Sequence, residues 1–324
     1  MILVQTPLRV SFLGGGTDFD DFSHDNGGAV LSTAIDKYTT VFIKERFDEL
    51  IYVNYREKEI VAEVDDIKHE LVREAMRLVG VKKGVEISTF VDVREGSGLG
   101  SSSSITVGLL QALYTFKGEV KDTETLARQA CQIEIDNLRK PIGRQDQYIA
   151  AYGGFRFITF HNSGVTVDDV PLSAELKRRL SERLMIFFTG RTRKSEDILA
   201  EQKANIKERL EFLKELKDMA HEGKALITEG RLDDFGRLLH KGWLCKRLLA
   251  SKVSDGELDE IYEAALKAGA LGGKICGAGG GGFLLLYCPP ERRDDVRSAL
   301  RRLEEIPFHL ERDGSKVIFN YRRG

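Results

Sequence analysis

Gly96-Ser97-Gly98-Leu99-Gly100-Ser101-Ser102-Ser103-Ser104 is a run of glycines and hydroxyl side chains that joins a strand pattern to a helix pattern. In residues 85–93 before it, apolar and polar side chains alternate, which is typical of a β-strand. After it, Ile105, Leu109 and Leu113 recur at helical spacing. A glycine turn between a strand and a helix collects backbone N–H groups and the positive end of the helix dipole at one point. The stretch therefore predicts an α/β unit with a loop that binds a polyanion.

The loop follows neither of the common phosphate-binding patterns. A Walker-type loop needs a lysine beside its hydroxyl residue, and no Lys or Arg lies between Arg94 and Lys117. A dinucleotide-binding loop needs a third glycine where this chain has Ser101. The charge of a triphosphate would have to be met by backbone dipoles, by a metal, or by a cation from elsewhere in the chain. A flexible linker is the alternative, although linkers do not usually join a strand to a helix within one compact unit.

Composition excludes several classes of protein. The chain has 324 residues, of which 42% are hydrophobic, with a net charge of −2 and a sequence pI near 6.4. This balance gives no general attraction to nucleic acid or to acidic membranes, so neither is expected as a partner. Unpaired-looking cysteines, no membrane-spanning apolar stretch and no signal-peptide pattern indicate a cytoplasmic protein. The scattered histidines lack the spacing of a zinc site.

The length suits two domains that share a cleft. The predicted strands of the first half are 8–13, 38–44, 50–54, 59–64, 155–160 and 165–170. The predicted helices of the first half are 66–79, 101–116 and 122–138. We place the two domains at residues 1–175 and 176–324.

The second half has the element order of an α+β sandwich of ferredoxin type. A long helical stretch over 195–251 is expected to break near Gly223 and Gly230. The other predicted elements are strands at 184–189, 283–288 and 316–321 and helices at 255–268 and 291–303. The whole chain is therefore predicted to be α+β.

Two further glycine segments accompany the first. Residues 9–18 read R-V-S-F-L-G-G-G-T-D, and residues 274–282 read K-I-C-G-A-G-G-G-G. The order and spacing of the three segments resemble the GHMP kinases, the superfamily that contains galactokinase, homoserine kinase, mevalonate kinase and phosphomevalonate kinase. The resemblance implies a two-domain GHMP kinase fold. It would have an N-terminal α/β ATP-binding domain with a left-handed βαβ unit, against the usual handedness, and a C-terminal ferredoxin-like α/β sandwich.

Four segments are most similar to one subgroup of these kinases. They are residues 9–22, 26–38, 143–147 and 187–195. The subgroup acts on D-glycero-D-manno-heptose 7-phosphate. The resemblance implies an ATP- and Mg²⁺-dependent sugar kinase that phosphorylates the anomeric C1 hydroxyl of this sugar phosphate and yields the 1,7-bisphosphate.

The resemblance gives catalytic roles to Asp146 and Arg9. Asp146 matches the aspartate that many of these kinases use as the base for the attacking hydroxyl. A carboxylate that stabilises a helix N-terminus is the alternative. Arg9 lies in an otherwise apolar strand, where a cation is costly unless paired, and matches the strand cation of the superfamily. We expect it to pair with Asp146 and the transferring phosphoryl group, with an edge-strand surface position as the alternative.

The resemblance also implies a nucleotide and metal site. The residues expected to bind ATP are Gly96, Gly98, Leu99, Gly100, Ser101, Ser102 and Ser103. Glu134 matches the magnesium carboxylate of the family, and Ser102 would supply a second oxygen, with Ser101 or Ser103 as alternatives. Mg²⁺ favours few protein oxygens and completes its shell with phosphate and water. Without the resemblance, a lone glutamate on an amphipathic helix is more often only solvated.

The acceptor site is expected to combine glycine segments with a basic cluster. Asp18 matches the position that binds sugar hydroxyls in related kinases, although a turn or a helix cap would also use it. Arg191, Arg193 and Lys194 lie between a strand and a helix, a natural anion site that would bind a sugar phosphate. Clusters of this density also arise by chance, as Lys177-Arg178-Arg179 shows. The other expected acceptor contacts are Gly16, Thr17, Asp36, Lys37, Gly279 and Gly280.

Three alternatives to the heptose phosphate kinase stay open from the sequence. The first is another sugar-1-kinase of galactokinase or fucokinase type. The second is a sugar sensor that keeps the fold without catalysis, and the third is a mevalonate-type kinase. In each case the expected partner is a small molecule, bound by a monomer or a homodimer.

Overall fold

The computed structural model describes residues 1–94, 96–192 and 195–321, so Arg193 and Lys194 of the predicted basic cluster lie outside the described residues. The strands are β1 (Ile2–Leu13), β2 (Gly28–Glu45), β3 (Ile51–Asn54), β4 (Lys58–Val61), β5 (Val85–Val91), β6 (Phe155–His161), β7 (Gly164–Asp169), β8 (Leu184–Phe188), β9 (Gly272–Ile275), β10 (Phe283–Tyr287), β11 (Glu304–Glu305) and β12 (Lys316–Asn320). The helices are α1 (Asp20–Asn26), α2 (Glu70–Val79), α3 (Ser101–Lys117), α4 (Thr123–Cys131), α5 (Gln145–Tyr152), α6 (Ala174–Ser181), α7 (Ser195–Ala204), α8 (Leu210–Thr228), α9 (Leu232–Lys246), α10 (Gly256–Lys267) and α11 (Arg293–Ala299).

The first sheet is built around the long strand β2. It has eight strands in the order β12-β1-β2-β5-β3-β4, with β6 paired to β2 and β7 paired to β6. The first part of β2 pairs with β6, and its second part pairs with β5. Strands β3 and β5 are parallel, and the chain between them passes through β4 and α2. This is the predicted βαβ unit, whose left-handed crossover stays a prediction.

The second sheet confirms the predicted ferredoxin-like sandwich. Its four strands run in the order β11-β8-β10-β9, and all neighbours are antiparallel. In chain order this is fourth, first, third, second, with α7 to α10 between the first two strands and α11 before the last. That is the β-α-β-β-α-β arrangement of the motif.

The last strand of the chain does not belong to the sandwich. The predicted strand at 316–321 forms as β12, but it pairs with β1 of the first sheet, from Ile2 opposite Asn320 to Gln5 opposite Lys316. The fourth strand of the sandwich is instead the short β11. A boundary at residue 175 stays a prediction, and the chain returns to the first domain after its second domain is complete.

The predicted break near Gly223 is wrong, whereas the break near Gly230 is present. Gly223 lies inside α8, where a Cβ atom would stand only 2.5 Å from Cδ1 of Leu13. Without a Cβ atom at this position the helix can approach β1 closely. This packing offsets the conformational entropy that a glycine in a helix loses on folding. The earlier break lies at residues 205–209, and Gly230 ends α8 with a φ of +74°.

A shared hydrophobic core joins the two domains. Phe12 of β1 packs on Phe235 of α9, with ring centroids 5.5 Å apart, and both belong to one buried cluster that also includes Leu213 of α8 and Leu285 of β10. Because one core spans both domains, the cleft between them has fixed walls. No helix of the described residues has the length and apolarity required to cross a membrane.

Candidate active site

The loop between β5 and α3 contacts the loop between β9 and β10. A Cβ atom on Gly98 would lie 2.5 Å from the carbonyl oxygen of Cys276, and one on Gly277 would lie 2.7 Å from Cα of Gly98. Gly98 also has a φ of +85°. Two of the glycine segments thus meet backbone to backbone, which only residues without a Cβ atom allow.

Helix α3 begins at the wall of the cleft between the two domains. Gly100 precedes it with a φ of +77°, and no side chain caps the helix. Its first N–H groups therefore lie at the cleft, and no side chain within residues 1–94, 96–192 and 195–321 accepts from them. Of the predicted nucleotide-binding residues, those that line the cleft are Gly96, Gly98, Gly100, Ser101, Ser102 and Ser103. Leu99 is buried, and its carbonyl oxygen accepts a hydrogen bond from the N–H of Arg9 at 3.1 Å.

Arg9 and Asp146 form a two-bonded ion pair in the cleft. Nε of Arg9 donates to Oδ1 of Asp146 at 2.7 Å, and Nη2 donates to Oδ2 at 2.6 Å. The third donor, Nη1, binds the carbonyl oxygen of Gly98 at 2.6 Å. Burial alone would lower the pKa of the Arg9 guanidinium, but the charge and hydrogen bonds of Asp146 raise it above its ordinary value. The predicted pairing is present, and the pair connects β1, α5 and the glycine loop.

Glu134 and Ser102 lie next to each other beside the start of α3. Oγ of Ser102 donates to Oε1 of Glu134 at 2.6 Å, and Nε2 of Gln147 donates to Oε2 at 2.7 Å. Glu134 is fully buried, and burial raises its pKa against these hydrogen bonds. It lies in a π-helical turn, Gln132–Asn137, that continues α4. Turns of this kind are often found at functional sites.

Asp18 is held at the opposite side of the cleft. Its Oδ1 accepts from the N–H of Gly16 at 3.0 Å, and its Oδ2 accepts from the N–H of Gln145 at 3.2 Å. Burial, followed by the charge of Asp146, raises the pKa of Asp18. A Cβ atom on Gly143 would lie 2.1 Å from Oδ2 of Asp18, so the chain leaves room for this carboxylate. Asp18 and Gly16 both line the cleft, and their contact with the acceptor stays a prediction.

Six predicted acceptor contacts among the described residues lie outside this lining, and Thr17, Asp36 and Lys37 are three of them. Oγ1 of Thr17 is buried among backbone groups, where it accepts from the N–H of Ala29 at 3.0 Å. Asp36 accepts two hydrogen bonds from His309, from the backbone N–H at 2.7 Å and with Nδ1 at 2.9 Å. Nζ of Lys37 lies 3.5 Å from the same carboxylate. Thr17 supports the loop, Asp36 ties β2 to the chain at His309, and Lys37 contacts its neighbour Asp36.

Arg191 is engaged by carboxylates at the start of α10. Its Nη2 donates to both oxygens of Asp255 at 2.9 and 3.0 Å, and its Nη1 lies 3.0 Å from Oε2 of Glu257. Arg191 is not among the residues that line the cleft. Its role in binding a sugar phosphate stays a prediction, together with the roles of Arg193 and Lys194, which lie outside the described residues.

The third glycine segment lines the cleft through its first residues. Gly277 and Ala278 are in the lining, whereas Gly279 and Gly280 are not. The N–H of Gly280 donates to the carbonyl oxygen of Val253 at 2.7 Å, and a Cβ atom on Gly279 would lie 2.6 Å from the same oxygen. These two glycines pack the loop against the segment after α9.

Several polar side chains of the lining had no role predicted from the sequence. Among them are Ser11, Lys140, Gln145, Lys246 and Lys274. Lys274 lies in an apolar strand, which is the signal that pointed to Arg9, and it could have been found in the same way. Lys246 is the last residue of α9, where a lysine is common because it complements the helix dipole, so its position gave no signal.

Comparison with known protein families matches both domains. The model for the GHMP kinase N-terminal domain matches residues 67–154, and the model for the GHMP kinase C-terminal domain matches residues 224–305. The chain belongs to the GHMP kinase family. The predicted two-domain fold and the predicted kinase with an alcohol group as acceptor are thereby confirmed. Kinases of this family depend on ATP, and the N-terminal match includes the loop at the start of α3.

The relatives of this GHMP kinase include sugar kinases over its full length. It is 32% identical to the D-glycero-alpha-D-manno-heptose 7-phosphate kinase of Campylobacter jejuni over 93% of both chains. It is 27% identical to the bifunctional fucokinase/GDP-fucose pyrophosphorylase of Arabidopsis thaliana, over 93% of this chain and 31% of that longer protein. A D-glycero-D-manno-heptose 1-phosphate kinase from Bacteroides thetaiotaomicron superposes with a TM-score of 0.84 at 25% identity, over 99% of this chain and 100% of that one. The resemblance to heptose phosphate kinases is therefore confirmed.

Proposed function

We propose that this GHMP kinase transfers the terminal phosphate of ATP to the anomeric C1 hydroxyl of D-glycero-D-manno-heptose 7-phosphate, giving the 1,7-bisphosphate. The observation that carries the proposal is the Arg9–Asp146 pair, which lies in the same cleft as the start of α3 and the Ser102–Glu134 pair. A base, a cation and an anion-binding helix end are the parts that phosphoryl transfer to a hydroxyl requires.

The proton and phosphoryl movements follow from the positions of these groups. The C1 hydroxyl oxygen bonds to the terminal phosphorus as the bond from that phosphorus to the bridging oxygen of ADP breaks, and the hydroxyl proton passes to a carboxylate oxygen of Asp146. Arg9 holds that carboxylate in place through two hydrogen bonds and lies beside the negative charge that develops. Free N–H groups at the start of α3 bind phosphate oxygens.

Ser102 and Glu134 fit a magnesium ion. Glu134 is fully buried and accepts hydrogen bonds from Ser102 and Gln147. The charge of Lys140 acts on it as well, but burial outweighs these effects and raises its pKa, so a bound cation would stabilise the carboxylate. One carboxylate and one hydroxyl are the few protein oxygens that Mg²⁺ takes when phosphates and water complete its shell. The ion would neutralise charge on the phosphates of ATP.

The choice of acceptor is supported by the relatives. A heptose phosphate kinase is similar over nearly the whole chain, and a second heptose kinase has the same fold. Their names place phosphate at different carbons, so the position of transfer has to be measured. A fucokinase-type enzyme is the second candidate, because the Arabidopsis protein includes that activity and matches over most of this chain.

An assay of sugar-dependent ADP release tests the proposal. Heptose 7-phosphate, free heptose, L-fucose, D-galactose and mevalonate are compared at equal concentration. We expect the heptose 7-phosphate to give the highest kcat/KM. A higher value with fucose or galactose would favour the second candidate, and no release with any acceptor would favour a sensor without catalysis.

A further inference from the structure

Three side-chain groups gather on the side of Gly15 where a side chain would otherwise project. Nζ of Lys246 lies 3.6 Å from the position that a Cβ atom on Gly15 would occupy, and Nε2 of Gln145 and Oγ of Ser11 each lie 3.8 Å from it. All three residues line the cleft, and all three groups can donate hydrogen bonds. We call Ser11, Gln145 and Lys246 the Lys246 cradle. It is separated in sequence from the residues expected to bind ATP and metal.

Two members of the Lys246 cradle have donors to spare. Within the described part of the chain, the buried ammonium of Lys246 donates to one acceptor, the carbonyl oxygen of Gly277 at 2.6 Å. An ammonium has three donors, so two are left. Oγ of Ser11 is buried at the wall and has no hydrogen-bond partner in the described residues. A buried polar group without a partner is unfavourable, and a bound ligand would offset that cost.

The charge around the Lys246 cradle favours an anion. Lys274 is buried close by and donates to the carbonyl oxygens of Ser11 and Phe12 at 2.9 and 3.4 Å. Asp18 is the carboxylate left to balance the two lysines, because Asp146 is paired with Arg9. Burial, followed by the charge of Lys246, lowers the pKa of Lys274 well below its ordinary value, so the charged forms of the two lysines are unfavourable together. An anion bound beside them would stabilise those charged forms.

We propose that the Lys246 cradle binds the oxygens of a phosphate group within the cleft. This inference rests on the proposed kinase function and adds a phosphate-binding site to it. The phosphate is either the one that the acceptor already carries or the terminal phosphate of ATP during transfer. In either case the second domain contributes a binding lysine that the three glycine segments do not include.

The first experiment compares Lys246→Met with Lys241→Met, an exposed lysine of the same helix. The values of kcat and of KM for ATP and acceptor are measured with heptose 7-phosphate and with free heptose, and thermal unfolding checks the fold. For Lys246→Met we expect kcat/KM with heptose 7-phosphate to fall about 10- to 100-fold, the loss of one charge-assisted hydrogen bond. Lys241→Met is expected to match the wild type.

The two sources of phosphate give different results. If the cradle binds the phosphate of the acceptor, the loss is confined to heptose 7-phosphate, and free heptose is phosphorylated as by the wild type. If it binds the terminal phosphate of ATP, kcat falls equally with both acceptors. Unchanged kinetics of Lys246→Met with both acceptors would overturn the inference. Ser11→Ala, which removes an unpartnered hydroxyl and is expected to fold, should show the same pattern in weaker form.

A pH profile separates binding from a structural role. Burial, followed by the charge of Arg9, lowers the pKa of Lys246 to about 8. The titratable groups that face it are Arg9, Asp18, Asp146, Lys274 and Cys276. Because the ammonium form binds phosphate, kcat/KM of the wild type should fall as the pH rises through about 8. Lys246→Arg should remove this fall, since arginine stays charged, and a fall that persists would contradict the inference.

Failure of the proposed function would be seen separately. A wild-type protein that releases no ADP with any sugar contradicts the kinase proposal, but the cradle can still be probed with inorganic phosphate alone. We expect inorganic phosphate to raise the unfolding temperature of the wild type more than that of Lys246→Met. Equal protection of both proteins would overturn the inference.

Discussion

At the scale of residues, Arg9 and Asp146 depend on each other. The Arg9 side chain is 6% exposed and the Asp146 side chain is 24% exposed, so either one alone would leave a largely buried charge. The resemblance to the GHMP kinases predicted this pair, and the position of Arg9 in an apolar strand agreed with it. Spatial neighbours such as Lys246 could not be predicted in this way, because no local pattern links a helix end to a glycine turn more than two hundred residues earlier.

Asp146→Asn should remove the base and part of the pair. We expect kcat to fall about 10²- to 10⁴-fold, the range for loss of a general base. The free energy of unfolding should fall by about 1–3 kcal/mol because Arg9 loses a charged partner. Steady-state kinetics and thermal unfolding measure the two effects. Asp218→Asn, at an exposed site of α8, is the matched control, and wild-type kcat in Asp146→Asn would contradict the assignment of the base.

Glu134→Gln should lower activity and raise stability. Burial raises the pKa of Glu134, so between its ordinary and raised values the folded state binds more protons than the unfolded state. The free energy of unfolding therefore decreases as the pH rises through this window, and the charged form is unfavourable at neutral pH. The amide removes that cost. We expect the Tm of Glu134→Gln to be higher than that of the wild type at pH 7, and the difference in Tm to be smaller at acid pH. The variant should also need a higher concentration of Mg²⁺ for activity.

The same shift predicts how wild-type activity depends on pH. Metal binding needs the ionised carboxylate. As the pH is lowered, the KM for magnesium–ATP should therefore begin to rise at a higher pH than it would if Glu134 had an ordinary pKa. Glu263→Gln, at an exposed site of α10, should leave both Tm and the metal requirement unchanged. An unaltered metal requirement in Glu134→Gln would contradict the metal assignment.

At the scale of elements, the contact between the two glycine loops fixes the start of α3. Gly98→Ala would combine an unfavourable positive φ with a Cβ atom 2.5 Å from the carbonyl oxygen of Cys276. Gly230→Ala would have a similar φ, with no atom within 4 Å. A positive φ alone costs about 1–2 kcal/mol. We expect Gly98→Ala to lose more stability than Gly230→Ala and to raise the KM for ATP, which chemical denaturation and kinetics would show.

Helix boundaries show where sequence patterns stop being informative. The pattern over 122–138 predicts one helix, but the last turn widens into the π-helical segment that holds Glu134. Helix α5 was not predicted, although it carries Asp146 and Gln147. Both differences arise where tertiary contacts, rather than periodicity, determine the local geometry. Gly223 is a similar case, since its partner Leu13 is distant in sequence.

At the scale of the molecule, β12 attaches the end of the chain to its beginning. Oγ of Ser315 and Oγ1 of Thr6 are hydrogen-bonded at 2.8 Å, and the N–H of Ser315 donates to the carbonyl oxygen of Ala150. Ending the chain after Gly314 should lower the Tm of a single unfolding transition, because one core spans both domains. Ending it after Tyr321 keeps β12 and should change nothing. Calorimetry measures both, and equal Tm values would contradict a structural role for β12.

The three glycine segments were sufficient to predict the family and the two-domain fold. The pairing of β12 with β1 was not predictable, since strand patterns do not specify their partners. Arg191 is a further case in which the partners were not predictable. Its sequence position indicated an anion site, but its guanidinium binds the carboxylates of Asp255 and Glu257 at the start of α10.

The position of the transferred phosphate tests the central claim most directly. Wild-type protein, ATP, Mg²⁺ and heptose 7-phosphate are incubated, and the product is examined by ³¹P and ¹³C NMR. We predict a second phosphate coupled to the anomeric carbon, formed in step with ADP and absent with Asp146→Asn. A phosphate on any other carbon, or ADP released without a phosphorylated sugar, would contradict the account.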